Sequence, residues 1–345
     1  MKAALFEKPG EMSIVDMPLH PCGMEDVIVK VHACGICGGD IRNFSTGLRH
    51  GIKSQVMGHE FTGTLVEIGQ HVKGFRLGDK VALAPDVSCG ECWYCRHGLI
   101  NLCDNHRMIG THWPGGFAQF VHIPKTILEH GFIHKLPEGV SLTEGCLSEP
   151  ASSVIAAQER VEIGKNSTVL ILGDGPIGCL HIEIARANGA SMIILAGRSR
   201  LSAAKQFGPD LTLDYTRDDV ALQVRSVTNG LGVDFAICAN ASTESQQVAL
   251  SSVRKRGRVI LFGGVPKDAP MTTLNSNTIH YNEIEVIGTF SYQKRHHLAA
   301  LDAIRMKKIH PDLYFTKTVT LENIMEGFES AKRREALKVL VIPGE

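Results

Sequence analysis

The stretch VLILGDGPIGCL, residues 169–180, decides the fold class of the second half of this 345-residue chain. It joins an apolar run typical of a buried strand to a run typical of a helix, with three glycines between them in G-x-G-x-x-G spacing. The glycines allow a tight turn, close approach of a diphosphate to the backbone, and close packing of helix on strand. The helix start offers free N–H groups to phosphate oxygens. In this context we predict a dinucleotide-binding loop and not a plain tight turn. The loop residues assigned to the cofactor are Gly173, Gly175, Pro176, Ile177 and Gly178.

The pattern of strands and helices changes near residue 150. Before it, short apolar alternations separated by glycine-rich turns are typical of an antiparallel β-barrel or sandwich. The predicted strands are DVIVKVHA (26–33), GTLVEIG (63–69), DKVALAP (79–85) and FAQFVHIP (117–124). From 151 to about 290, strands such as STVLILG and SMIILAG alternate with helices such as RLSAAKQFG, which predicts a parallel, doubly wound sheet. The tail ends on LKVLVIP, a further predicted strand.

The composition argues against several classes of protein. Lysine plus arginine equals aspartate plus glutamate at 36 each, so no basic face for nucleic acid is predicted. No stretch approaches the roughly 18 apolar residues of a membrane span, and the first residues lack the apolar core of a secretory signal. We therefore expect a two-domain cytoplasmic protein without a membrane partner, whose ten cysteines stay reduced.

Several side chains in the first half have the chemistry of zinc ligands. Cys37 lies in ACGICGGD, and His59 and Glu60 lie in MGHEFTG, two glycine-flanked segments. Thiolate, imidazole and carboxylate are groups that zinc prefers. A further candidate, Glu149 in LSEPAS, stands where the pattern changes, and a carboxylate buried at such a junction is costly unless it is paired or binds a metal. The isolated cysteines are interpreted as buried structure: Cys22, Cys34, Cys146, Cys179 and Cys238.

A second cluster places four cysteines in the segment CGECWYCRHGLINLC (89–103), with the spacing C-x2-C-x2-C-x7-C. Its members are Cys89, Cys92, Cys95 and Cys103. In a reducing compartment a metal site fits such a set better than a redox disulfide, and both interpretations remain at this point.

Together these motifs resemble the zinc-dependent medium-chain dehydrogenase/reductase family over essentially the whole chain. The resemblance rests on GICGGD, GHEFTG, the cysteine cluster, SEP, GDGPIG and LKVLVIP, and it is greatest to the polyol (sorbitol-type) and threonine dehydrogenases. It implies an α/β protein with a β-rich, GroES-like catalytic domain formed by residues 1–153 and 291–345. A Rossmann cofactor domain with a doubly wound parallel sheet, residues 154–290, is implied between the two parts.

The resemblance also implies two zinc ions per chain. The catalytic zinc would be held by Cys37, His59 and Glu149. Glu60 is implied as a neighbour that exchanges with bound water as a ligand, and Asp40 as the carboxylate that fixes the imidazole tautomer of the histidine. The second zinc is implied in the four-cysteine cluster, where four thiolates leave no position for a substrate, so that site is interpreted as structural.

The implied activity is hydride transfer between a secondary alcohol, such as a polyol, sugar alcohol or sugar derivative, and a nicotinamide cofactor. Two alternatives remain open. One is a threonine-type amino alcohol dehydrogenase, and the other is a zinc-free quinone reductase or a non-catalytic protein on the same fold. The resemblance implies a homodimer or homotetramer without choosing between them.

The sequence departs from its relatives at the substrate end. Gly39 stands where they carry the serine or threonine that begins the proton path, so we expect water or the cofactor ribose to substitute. Ser291, in GTFSY, stands where polyol enzymes tend to carry an arginine, which argues against sorbitol itself. His112 and Trp113 fall where relatives line the substrate pocket, although packing of the tryptophan against the barrel is an equally good explanation.

A further departure concerns the choice of cofactor. The strand SMIILAG ends at Gly197, and no acidic residue lies between positions 183 and 210, so the carboxylate that selects NAD is missing from its usual place. Gly197 leaves space for a 2′-phosphate. Arg198 and Arg200 can bind two phosphate oxygens at once, and Ser199 can donate a hydrogen bond. We therefore predict a preference for NADP over NAD, against the alternative that these arginines are ordinary solvated residues at a helix start.

Overall fold

The computed structural model describes residues 1–344, and Glu345, the end of the predicted catalytic domain, lies outside the described residues. The chain divides into two compact units, Met1–Ser152 with Gln293–Glu345, and Ser153–Tyr292. The first unit is formed from both ends of the chain and the second from one continuous segment. The predicted boundaries, at 153/154 and 290/291, fall near these junctions.

Within the described residues the chain forms eighteen strands and twelve α-helices. The strands are β1 (Lys2–Lys8), β2 (Glu11–Asp16), β3 (Val27–Gly35), β4 (Gln55–Val56), β5 (Glu60–Ile68), β6 (Lys80–Ala84), β7 (Asp86–Val87), β8 (Arg107–Met108), β9 (Phe120–Ile123), β10 (Phe132–Lys135), β11 (Thr168–Leu172), β12 (Met192–Gly197), β13 (Leu211–Asp214), β14 (Val233–Cys238), β15 (Val253–Leu261), β16 (Glu285–Gly288), β17 (Phe315–Thr320) and β18 (Lys338–Ile342). The helices are α1 (Gly38–Thr46), α2 (Trp93–Arg96), α3 (Lys125–His130), α4 (Leu142–Gly145), α5 (Ser148–Arg160), α6 (Pro176–Ala187), α7 (Leu201–Ala204), α8 (Val220–Val227), α9 (Thr243–Ser252), α10 (Ser276–Tyr281), α11 (Lys294–Arg305) and α12 (Ile324–Lys332).

The first unit is organised around a seven-stranded sheet. Six strands follow the order β10–β6–β5–β3–β18–β17, and β9 also pairs with β3. The pairs formed before residue 150 are antiparallel, as predicted. The pair contributed by the tail, β17 and β18, is parallel, with α12 between the two strands in the chain. Parallel neighbours cannot be joined by a tight hairpin, and a helical crossover supplies the necessary length.

One predicted strand is shorter than expected. Of the predicted stretch 117–124, only Phe120–Ile123 pairs as β9. Phe117 is buried in the core, and its carbonyl accepts a hydrogen bond of 2.8 Å from the amide of Ala4. Pro124 has no amide hydrogen to donate, and it caps the start of α3 instead of extending the strand.

The second unit contains a six-stranded parallel sheet in the order β13–β12–β11–β14–β15–β16. Strand order reverses beside β11, and ligands of open α/β sheets bind at the carboxyl ends of the strands at such a point. The glycine loop follows β11 directly, so the topology places it at this position. The predicted helix RLSAAKQFG is only α7 followed by a 3-10 turn, and Gly208, with φ of 70°, ends it. No helix among the described residues is long and apolar enough to cross a bilayer.

Candidate metal and cofactor sites

Three side chains with metal-binding groups converge in the first unit. Cys37 follows β3, His59 precedes β5, and Glu60 begins β5. Because β3 and β5 are antiparallel neighbours with Gly35 opposite Glu60, the end of one strand meets the start of the other. The ligand atoms of these three side chains all lie within 4.8 Å of one another. The donor set of thiolate, imidazole and carboxylate is one that zinc binds.

Helix α1 begins at this point and positions Asp40 against His59. Cys37 is its N-cap: the Gly39 amide donates to the Cys37 sulfur over 3.4 Å, and the Cys37 amide donates to Asp40 Oδ2 over 2.9 Å. Asp40 Oδ1 lies 3.2 Å from His59 Nδ1. Burial alone would lower the pKa of His59, but Asp40 and Cys37 raise it well above its usual value. The carboxylate therefore fixes the ring and leaves Nε2 for a metal.

Burial, followed by the nearby Glu60 carboxylate, raises the pKa of the Cys37 thiol. The adjacent His59 lowers this pKa, and a cation beside the sulfur would favour the thiolate further. A metal ion among the three side chains would be such a cation.

Glu60 forms a buried ion pair with Lys338. Lys338 Nζ lies 2.5 Å from Glu60 Oε2, and the two side chains are 4% and 1% exposed. The other oxygen, Glu60 Oε1, has no hydrogen-bond partner among the described residues. A buried carboxylate oxygen without a partner is costly, and a metal ion would satisfy Oε1. Lys338 was not among the predicted site residues, although a single lysine in the apolar run LKVLVIP was a usable signal.

Glu149 lies near this cluster but outside the group of atoms within 4.8 Å. It is half-buried in the first turn of α5. The pKa of Lys338 is raised: burial lowers it, but the carboxylates of Glu60 and, more weakly, Glu149 raise it by more. Glu149 therefore interacts electrostatically with Lys338. The structure thus brings three of the four predicted groups together, and the ligand role of Glu149 stays a prediction.

The four cysteines of the segment 89–103 also converge, with all four sulfur atoms within 4.8 Å of one another. The sulfur atoms of Cys89 and Cys95 are 4.0 Å apart. A tetrahedron with Zn–S distances of about 2.3 Å has edges of about 3.8 Å, so this cluster fits zinc. Backbone N–H groups of Glu91 and Cys92 lower the pKa of Cys89 to about 6, which favours its thiolate. All ten cysteines of the chain are free.

The residues predicted at the substrate end lie in both units. His112 Nδ1 accepts a hydrogen bond of 3.0 Å from the Met108 amide. Trp113 packs against the core of the first unit, which agrees with the packing explanation. Ser291 belongs to the second unit and has a left-handed backbone with φ of 52°. Contact of any of the three predicted residues with a substrate stays a prediction.

The glycine loop has the geometry that a diphosphate requires. A Cβ at Gly178 would collide with the carbonyl oxygen of Gly173, so close packing of α6 requires glycine there. Gly175 is the N-cap of α6, and the nearest atom to a Cβ at this position would be Arg200 Nη1 at 3.8 Å. The loop and the helix N-terminus therefore offer an open anion-binding surface.

The space above Gly197 is not open. A Cβ there would lie 2.5 Å from Cγ of Asp174, a residue that is 8% exposed. Asp174 Oδ2 accepts hydrogen bonds from the amides of Arg198 (2.8 Å) and Arg200 (2.6 Å). The prediction that Gly197 leaves room for a 2′-phosphate is therefore wrong, because the Asp174 side chain occupies that room. Asp174 was not among the predicted cofactor residues, since the middle position of G-x-G carries no signal in the motif.

The three residues after Gly197 differ in their surroundings. Arg198 and Ser199 are exposed, whereas Arg200 is half-buried and reaches the glycine loop at Gly175. The two amide hydrogen bonds to Asp174 hold this segment against the loop. Arg200 is therefore not simply a solvated residue at a helix start, whereas Arg198 is solvent-exposed, as the alternative interpretation expects.

Comparisons with known proteins agree with these two units. The family model of the alcohol dehydrogenase GroES-like domain matches residues 23–138, and that of the zinc-binding dehydrogenase matches residues 176–305. Sorbitol dehydrogenase from Bacillus subtilis is 32% identical, over 99% of this chain and 97% of its own. D-arabitol-phosphate dehydrogenase from Enterococcus avium is 31% identical, again over 99% and 97%. The crystal structure of a zinc-binding dehydrogenase from Sinorhizobium meliloti bound to NADP has a TM-score of 0.90 at 30% identity, covering 99% of each chain. The predicted combination of a GroES-like domain with a Rossmann sheet is confirmed.

Proposed function

We propose a defined reaction for this chain, which belongs to the zinc-type medium-chain dehydrogenase family, polyol type: hydride transfer between a secondary alcohol and NADP at a zinc site. The proposal rests on the convergence of the Cys37, His59 and Glu60 side chains. One oxygen of the buried Glu60 carboxylate, Oε1, has no hydrogen-bond partner among the described residues, and a metal ion would bind it.

A zinc ion held there would supply Lewis acidity, which lowers the pKa of a bound alcohol and polarises a bound carbonyl in the reverse direction. Cys37, His59 and Glu149 would hold the ion, and Glu60 would be a neighbour that exchanges with bound water as a ligand. Asp40 orients the imidazole, and Lys338 holds the Glu60 carboxylate in place and balances its charge. Gly39 has no hydroxyl, so the alcohol proton would leave through water or the cofactor ribose.

The glycine loop and α6 would bind the diphosphate of the cofactor, whose nicotinamide accepts or donates the hydride. We propose a second zinc ion in the cluster of Cys89, Cys92, Cys95 and Cys103. Its four thiolates would leave no open position, so its role is to hold the segment in shape.

The proposed activity is tested by metal analysis and kinetics on one preparation. We expect close to two zinc ions per chain, and reduction of the cofactor by at least one alcohol in a panel of polyols, sugar acids, sugar phosphates and amino alcohols. Absorbance of the reduced nicotinamide is the readout. Zero or one zinc per chain together with no alcohol-dependent reduction would favour the zinc-free alternative.

NADP is the proposed cofactor because Asp174 holds the segment that carries Arg198 and Arg200 beside the glycine loop. A neutral residue in place of each arginine removes charge-assisted hydrogen bonds to a 2′-phosphate. The relative from Sinorhizobium meliloti is bound to NADP, which supports the same choice.

The double variant Arg198→Gln/Arg200→Gln is expected to lower kcat/KM for NADP by about tenfold or more and to change that for NAD much less, because NAD has no 2′-phosphate. The measurement is the ratio of the two specificity constants in parent and variant. Arg217→Gln is the matched control, since this arginine is 82% exposed in the same unit. A parent that prefers NAD tenfold, or a variant that loses both cofactors equally, contradicts the proposal. Gly197→Asp is unsuitable, because its side chain would displace Asp174.

We also propose that the protein is a cytoplasmic homodimer or homotetramer. Strand β16 is an outer strand of the six-stranded sheet, and its unpaired edge offers backbone groups to a second copy. Ten free cysteines suit a reducing compartment. Light scattering on the purified protein distinguishes the two assemblies.

A further inference from the structure

We propose that the alcohol substrate carries an anionic group, a phosphate ester or a carboxylate, and that Arg42 and Arg49 bind this group beside the metal site. The inference rests on the proposed function, since it locates the anion relative to an alcohol bound at that site.

Arg42 reaches the space that the missing side chain of Gly39 leaves. A Cβ at Gly39 would lie 4.0 Å from Arg42 Nη2. The same point lies 3.7 Å from Cys37 Sγ and 3.8 Å from His59 Cε1. One guanidinium nitrogen of Arg42, an exposed residue, therefore lies near the same point as two of the proposed zinc ligands. An anion bound by this guanidinium would be only a few carbon atoms from the reacting alcohol.

Arg49 supplies a second positive charge near the first. It begins the 3-10 turn Arg49–Gly51 and is half-buried. Burial and then the charge of Arg42 lower the pKa of its guanidinium. Among the described residues, no carboxylate forms an ion pair with either guanidinium, and neither side chain has a hydrogen-bond partner. Neither guanidinium therefore has a counter-ion among the described residues, and a bound anion would compensate the charge of both.

Arg49 is followed by a pair of neighbouring imidazole rings. His50 follows Arg49 with a left-handed backbone, φ 59°, which is uncommon for a residue other than glycine and is found at ligand-binding sites. Its ring centroid lies 4.9 Å from that of His112. Burial lowers the pKa of His112, and His50, Arg107 and His106 lower it further, against a weaker opposite effect of the Met108 amide. The imidazole of His112 is therefore neutral near pH 7 and can serve as a hydrogen-bond partner.

This concentration of arginine does not follow from the overall charge of the protein, which has 36 basic and 36 acidic residues. Several other arginines pair with carboxylates, as Arg186 does with Asp210 and Arg254 with Asp234, whereas Arg42 and Arg49 lie near the proposed metal site without such a partner among the described residues. The planar fork of arginine matches phosphate and carboxylate groups, binding two oxygens at once. A neutral polyol offers no charge to this pair, so the arrangement favours an acidic substrate.

The test compares neutral polyols with matched anionic compounds. Sorbitol is compared with sorbitol 6-phosphate and with gluconate, and galactitol is compared with its terminal phosphate ester. We expect kcat/KM for the phosphate or the acid to exceed that for the neutral polyol by about tenfold or more, and the winning member identifies the anion. Arg42→Gln and Arg49→Gln should each reduce this advantage by about tenfold, with Arg42→Lys intermediate because it keeps the charge but not the fork. Arg76→Gln, an exposed arginine of the same unit, is the control and should leave the ratio unchanged.

Equal use of neutral and anionic substrates by the parent would overturn the inference while leaving the proposed function intact. Loss of both substrate types in equal proportion in the glutamine variants would also overturn it. If no alcohol is oxidised, the proposed function fails, and the arginines are tested by calorimetric titration of cofactor-saturated protein with inorganic phosphate. Binding that both glutamine variants weaken about tenfold supports the anion site. Binding that is absent, or equal in parent and variants, refutes it.

Discussion

Replacing Cys37 with alanine is expected to remove one of the two proposed zinc ions and to lower turnover by at least about a thousandfold, because the site loses both a ligand and its Lewis acid. The fold should persist, since an open catalytic site contributes little to folding. Glu149→Ala should behave in the same way if this carboxylate is a ligand. Its position outside the 4.8 Å cluster makes it the sharper test of the two.

The measurements are zinc content by mass spectrometry, turnover with the best alcohol, and the thermal unfolding midpoint of each variant. Cys22→Ala is the matched control, because Cys22 lies in a loop of the same unit and donates only to the backbone carbonyls of Gly23 and Asp26. It should keep both zinc ions and full turnover. Retained activity at half the zinc content in Cys37→Ala would refute the catalytic assignment.

Replacing Cys92 or Cys95 with serine is expected to lower stability before it affects chemistry. The segment has little core of its own: Trp93 is 55% exposed, Leu99 37% and Leu102 39%. Zinc binding at a closed thiolate site is folding free energy, on the order of 10 kcal/mol in small domains. Loss of even a few kcal/mol would lower Tm by about 10 °C in a unit of this size.

Thermal unfolding with and without a chelator measures this effect. We expect the parent, but not the serine variants, to lose stability when the chelator is added. Cys22→Ser is the control for thiol replacement without metal loss. A variant that melts like the parent but has no turnover would show that the cluster serves catalysis and not structure.

The local features of the molecule could be predicted because they depend on residues that are close in the chain. The strand, glycine turn and helix at 169–180 are formed by residues adjacent in the chain, so their pattern alone predicts a doubly wound sheet. Four cysteines within one segment are held close by chain length alone. Cys37 and Asp40 share the N-terminal turn of α1, and their capping contacts follow from that spacing.

The interactions that complete the sites join residues from distant parts of the chain, and only the tertiary structure decided them. The tail strand β18 delivers Lys338 to Glu60 on β5, through the intervening β3. Packing of β12 beside β11 brings Asp174 over Gly197, so this glycine makes room for the Asp174 side chain and not, as predicted, for a 2′-phosphate. The position of Arg42 relative to the proposed ligands also depends on the tertiary structure: its guanidinium, Cys37 Sγ and His59 Cε1 all lie within 4.0 Å of the point where a Cβ of Gly39 would be. Sequence periodicity encodes which face of an element is buried, but not which charged side chains meet there, because that depends on strand order and register.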